Sequence, residues 1–265
     1  MSLVAYKAFG RGLLALTFGG ALWAGEFITN GSFSTSTYTV NTEFDTTFNP
    51  NNMNGSVTGW TSTGYSIYFF AGRQSTDSAV GQFSSGGTAG VEKLYATANK
   101  LSPNGGNFVG LDADPTIGST LSQTLTGLTV NTHYQVSFYW AASQLQSRSG
   151  ATNEAVGVQV FDASNVLALN YTSATVQNPS GGFTIDTATN NWFKVTLNFA
   201  ATSSTETIKF LSKSTSTCLP PMVLLDGISV TNVAVPEPTT VTLMGAGIAL
   251  VAVAAVRRRR PDKKS

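Results

Sequence analysis

The stretch HYQVSFYW, residues 133–140, alternates without a break. Tyr134, Val136, Phe138 and Trp140 fall on one side of an extended chain. His133, Gln135, Ser137 and Tyr139 fall on the other. This strict period of two over eight residues predicts a strand with one buried face. The same rhythm recurs downstream. Val156, Val158 and Val160 alternate with Gly157, Gln159 and Phe161. Phe193, Val195, Leu197 and Phe199 alternate with Trp192, Lys194, Thr196 and Asn198. Ile208 and Phe210 stand beside Thr207 and Lys209, and 223–230 is a further expected strand.

Between 25 and 233 no segment carries a long helical period, and Gly, Asn, Ser and Thr separate the apolar pieces. Short strands at such spacing, with no helices between them, predict an all-β, antiparallel β-sandwich of the jelly-roll kind. Roughly ten to thirteen strands fit one such domain. Two small sandwiches are the alternative, with Ala71–Gly90, AGRQSTDSAVGQFSSGGTAG, as the one candidate linker, but this stretch reads as a surface loop.

Only 11% of the 265 residues are charged, against roughly 25% in an average soluble domain. The formal charge of +1 conceals basic ends around an acidic middle. From Gly25 to Pro238 there are 7 Lys/Arg and 13 Asp/Glu, so that span carries 7 − 13 = −6. No basic patch is present, which argues against a nucleic-acid partner. Cys218 is the one cysteine, so an internal disulfide is excluded.

The two ends read as addresses. Residues 1–24 place Lys7 and Arg11 ahead of an apolar stretch, Leu13–Leu22, and end in small residues. That is the layout of a signal peptide, with cleavage expected after Ala24; an uncleaved anchor is the alternative. The C-terminal part reads VPEPTTVTLMGAGIALVAVAAVRRRRPDKKS, 235–265. Val241–Val256 is a run of 16 uncharged residues, about 24 Å long as a helix, short but usable as a transmembrane helix. Arg257, Arg258, Arg259 and Arg260 begin a basic tail, 257–265, that stays cytoplasmic under the positive-inside rule.

Pro236, Glu237 and Pro238, the apolar run and the arginines, in that order, resemble the PEP-CTERM sorting signal of Gram-negative bacteria. The resemblance implies a sorting segment over 234–265 and processing by an exosortase near the PEP triplet. It also implies an exported protein of the envelope or extracellular matrix, commonly in bacteria that make exopolysaccharide and biofilm. Before processing, the chain would sit in the inner membrane with its C-terminus in the cytoplasm. A plain C-terminal membrane anchor is the alternative.

A second resemblance covers most of the middle. Its pieces are Asn30-Gly31-Ser32-Phe33, Gly59-Trp60, Gly106-Asn107-Phe108-Val109-Gly110-Leu111-Asp112, Leu121-Ser122-Gln123-Thr124-Leu125, Trp192 with Phe199-Ala200, and Leu224-Leu225-Asp226-Gly227-Ile228-Ser229-Val230. In this order they resemble the galactose-binding-like jelly roll of carbohydrate-binding modules. In such modules a structural calcium sits between a glutamate after the N-terminal Asn-x-x-Phe and an aspartate of the last strand. Asp226 matches the aspartate and Asn30 begins the N-terminal motif, but Ser34 stands where the glutamate would be. Calcium is therefore the one cofactor to weigh.

A catalytic set is not legible. His133 is the one histidine, which excludes a two-histidine metal site. No nucleophile elbow, P-loop or dinucleotide fingerprint occurs. Asp112 and Asp114 lie two apart in LDADPT, a strand end running into a turn. Sugar recognition instead needs rings beside hydrogen-bonding groups. Tyr139 shares its face with Gln135 and His133, and Trp192 shares one with Lys194 and Asn198. These define the candidate ligand face, while Trp60 and Trp140 read as core. The expectation is a non-catalytic, exported jelly roll that binds polysaccharide. A structural or adhesive surface protein without sugar binding is the alternative, and a secreted hydrolase is a third reading.

Overall fold

The computed structural model describes residues 25–38, 42–43, 56–69, 94, 103–104, 107–146 and 150–233. The expected signal peptide, the 71–90 loop, the apolar run 241–256 and the basic tail lie outside these residues. Twelve strands are described: β1 (Thr42–Glu43), β2 (Thr61–Thr63), β3 (Ser66–Phe69), β4 (Phe108–Asp112), β5 (Thr120–Thr126) and β6 (His133–Gln144), then β7 (Thr152–Asp162), β8 (Leu167–Thr172), β9 (Val176–Asn178), β10 (Phe193–Ala200), β11 (Thr205–Lys213) and β12 (Pro221–Asn232). There is no helix among the described residues.

The strands form two antiparallel sheets. The first has the order β1-β3-β4-β12-β6-β10. The second runs β2-β5-β11-β7-β8, with β9 also pairing β7. The inward side chains of 133–140, namely Tyr134, Val136, Phe138 and Trp140, meet Val156, Val158 and Val160 of β7 and Ile208 and Phe210 of β11 in one core. Trp60 belongs to that core too, its indole nitrogen donating to the Asn30 carbonyl at 3.0 Å.

One residue too many in β12 is absorbed by a bulge between Asp226 and Ser229. Gly227 takes a φ of 60°, a conformation glycine adopts without strain. The bulge resets the alternation, so Val223 and Leu225 before it and Ile228 and Val230 after it all point into the core. β4 pairs β12 only along Met222–Leu225. Beyond it the N-terminal segment takes over. Phe27 N donates to Val230 O at 2.8 Å, and Ile228 N donates to Gly31 O at 3.0 Å.

At one end the first sheet is covered on its outer face as well. Ile67, Phe69, Phe108, Met222, Leu224, Ala141 and Trp192 form a second cluster there, with Leu94 bridging to Leu145. This is why β3 and the start of β12 are buried on both faces.

Candidate functional site

The outer face of the first sheet divides in two. One half lies under the second cluster. The other half, formed by β6, β10 and β12, is polar and uncovered among the described residues, with Tyr139 at its boundary packed against the second cluster. The β6–β10 register puts Tyr139 beside Lys194, Ser137 beside Thr196, Gln135 beside Asn198 and His133 beside Ala200. On the β12 side, Tyr139 pairs with Asp226, Ser137 with Ser229 and Gln135 with Thr231. Strand spacing makes this strip about 20 Å long from His133 to Tyr139.

Three candidate ligand residues therefore share one surface. His133 is exposed, and Gln135 and Tyr139 are half-buried. The Gln135 amide donates to Asn198 Oδ1 at 3.4 Å. The Lys194 ammonium sits 5.6 Å from the centre of the Tyr139 ring, a cation–π pair that ties β10 to β6. Gly227 adjoins the ring. A Cβ there would lie 2.9 Å from Asn104 Nδ2 and 3.0 Å from Tyr139 Cδ2, so only glycine lets both groups approach.

Trp192 differs. The pattern placed it on the outer face with Lys194 and Asn198, but it precedes β10 and is 2% exposed. Its ring packs edge-on against Phe108 at 5.4 Å and against Phe183 at 6.3 Å. The small side chain of Ala141 lies in the same cluster. Trp192 roofs the second core and offers no face to a ligand, which corrects its assignment as a contact residue.

The two calcium candidates have different work. Asn30, at a φ of 58°, donates its amide to Thr35 O at 2.8 Å and Thr58 O at 3.0 Å and accepts from Thr35 N at 2.9 Å. Its oxygen is committed to holding the 30–35 loop. Asp226 is fully buried beside Tyr139, and Asn104 N donates to its Oδ2 at 3.4 Å. Among the described residues no group of three or more His, Cys, Asp or Glu side chains is placed to hold a metal ion.

The carboxylates at 112 and 114 build a turn. Asp114 N donates to Asp112 Oδ1 at 2.8 Å. Asp114 accepts from Thr116 N and Oγ1 through one oxygen and from Cys218 N through the other. Burial alone would raise the Asp114 carboxyl, but these bonds outweigh it and hold it below its ordinary value. Burial pushes Asp112 up to about 7, with the Asp114 N–H opposing and the Asp114 charge assisting.

Two features were missed by the sequence reading. Glu154 is fully buried at the end of the inter-sheet core, where Thr152 Oγ1 donates to one oxygen. Among the described residues its second oxygen has no hydrogen-bond partner, and burial pushes the carboxyl up to about 8. The only signal for it was a glutamate with the inward phase of Val156, Val158 and Val160. A polar cleft of about 260 Å³ also lies outside the second sheet, lined in part by Thr29, Gly59, Gln123 and the hydroxyls of Thr61, Ser122 and Thr124. It contains no ring and no charge, and Gln123 spends its amide on Thr29 N and O.

Several solved structures are similar to the chain at low identity. The chain is 9% identical to the bacteriophage CBA120 tailspike protein 4 enzymatically active domain, with a TM-score of 0.35 over 78% of this chain and 21% of that one. It thus spans about a fifth of that protein's length. It is 13% identical to TmCBM61 in complex with beta-1,4-galactotriose, with a TM-score of 0.39 over 79% of this chain and 99% of that one. It is 16% identical to the Stig cyclase Fisc from Fischerella sp. TAU, with a TM-score of 0.42 over 80% of this chain and 98% of that one. No curated protein matches the chain. Residues 234–260 match the family model of the PEP-CTERM protein-sorting motif, so the chain carries that sorting signal at its C-terminal end.

Proposed function

We propose that this is an exported protein, cut by an exosortase near Pro236-Glu237-Pro238, whose sandwich is a non-catalytic module that binds neutral polysaccharide. The observation that carries the binding reading is the open strip on the first sheet. Amides from Gln135 and Asn198, hydroxyls from Ser137 and Thr196, and the Tyr139–Lys194 pair line one surface. A glycan offers hydroxyls for such groups and C–H faces for a ring. The charge of −6 between Gly25 and Pro238 disfavours anionic chains. The sorting motif supports export. Before processing, the apolar run 241–256 holds the chain in the inner membrane, with Arg257–Arg260 in the cytoplasm.

The test is binding of the full chain, in mild detergent, to immobilised neutral and acidic polysaccharides, with and without calcium. Saturable binding that weakens at least about tenfold in Tyr139→Ala and in the Gln135→Ala/Asn198→Ala pair is expected. Absence of saturable binding to every glycan would overturn the sugar reading and favour a structural or adhesive surface protein. Binding that needs calcium would bring Asp226 back into the ligand set.

A further inference from the structure

Each sheet has two edges, and natural sheets guard their edges with short strands, charges or prolines. Among the described residues three of the four are guarded. β2 is 3 residues long, β1 carries Glu43, and β10 carries Lys194. β8 is different. Its 6 residues, LALNYT, contain no charge and no proline. Between Asp162 and Asp186 the chain has no charged residue at all. Val166 and Leu167, at 51% and 49% exposure, are two of the four exposed large hydrophobic residues described.

Among the described residues β8 is paired on one side only, by β7. Ser173 N donates to Val156 O at 2.9 Å, which turns the backbone of Ser173 toward β7. Strand alternation then turns the backbone groups of Asn170 and Thr172 away from β7, toward the open edge. The side chains of Leu169 and Tyr171 pack against the main core but stay half-exposed at its rim.

We infer that β8 is a self-association edge, at which a second copy of this chain adds its own β8 antiparallel across a two-fold axis at Asn170. A two-fold pair sets each residue against its own symmetry mate or a near neighbour, so a charge on the strand would meet a like charge. A strand free of charge is the condition such pairing requires. With the axis at Asn170, the two Asn170 side chains face one another. Leu169 then lies opposite Tyr171 of the second copy, which extends the rim of one core into the other. The shared ladder joins the two second sheets into one. An interface of one strand pair is small, so the dimer forms at high concentration and dissociates on dilution.

The test is light scattering coupled to size exclusion on the full chain in mild detergent, under reducing conditions, over a dilution series. A concentration-dependent dimer is expected. Asn170→Lys should raise its dissociation constant at least about tenfold by opposing two ammonium groups. An equal mixture of Asn170→Lys and Asn170→Asp chains should recover the dimer as a heterodimer. Leu167→Lys, at an exposed position, is the second variant if Asn170→Lys fails to fold. A chain that stays monomeric at every concentration would overturn the inference. So would a dimer that survives both substitutions, including one held by the C-terminal segments.

Discussion

Replacing Glu154 by Gln is expected to remove a large pH dependence from the stability of the sandwich. Glu154 is fully buried, and desolvation pushes its carboxyl from 4.5 to about 8 against the opposing Thr152 hydrogen bond. Between these values the unfolded chain releases a proton that the folded chain keeps. The folded state then binds more protons, so stability falls as pH rises. The stabilising balance is complete below pH 4.5, is lost progressively up to about 8, and is flat above it. The slope is about 1.4 kcal/mol per pH unit, so the loss by neutral pH is about 3 kcal/mol. Glutamine keeps an oxygen for Thr152 and never ionises.

The assay is urea unfolding of the wild type and of Glu154→Gln, followed by tryptophan fluorescence, at several pH values from about 4.5 to about 8.5. The difference in unfolding free energy between the two should grow in favour of the variant by about 3 kcal/mol from acid to neutral pH. Asp112 adds a parallel slope to both proteins and cancels in the difference. Equal pH profiles for the two chains would refute the reasoning, since they would require Glu154 to ionise in the fold as freely as in water.

Three further outcomes follow from the packing. Gly31→Ala should cost about 3 kcal/mol or more in urea unfolding, because its Cβ would lie 1.7 Å from the Ile228 carbonyl oxygen and push the N-terminal segment off β12. Trp192→Ala should cost about 3–5 kcal/mol of stability, whereas Tyr139→Ala, at a half-buried ring on the edge of the second cluster, should cost less while weakening glycan binding. Asn30→Ala should cost about 1–3 kcal/mol through the hydrogen bonds to Thr35 and Thr58, and addition of a calcium chelator should not reproduce that loss.

The chain of amino acids by itself determined which side chains share a face. A strand's geometry has a period of two whatever surrounds it, so the inward Tyr134, Val136, Phe138 and Trp140 and the outward His133, Gln135 and Tyr139 were legible from 133–140 alone. The sorting signal was legible for a similar reason, since its parts are contiguous and need no fold to be recognised. Only the tertiary structure decided what covers each face. Trp192 has the outward phase of Lys194, yet Phe108 and Phe183, 84 and 9 residues away in the chain, close over it. Asp226 has the outward phase of Tyr139, yet it is wholly buried and bonded by Asn104 N from 122 residues away. Glu154 has the inward phase of Val156, Val158 and Val160, and only the tertiary structure left it without water. Alternation is a property of neighbouring peptide units, whereas burial depends on contacts between distant segments, and it is burial that sets both the raised carboxyl of Glu154 and the openness of the Tyr139 strip.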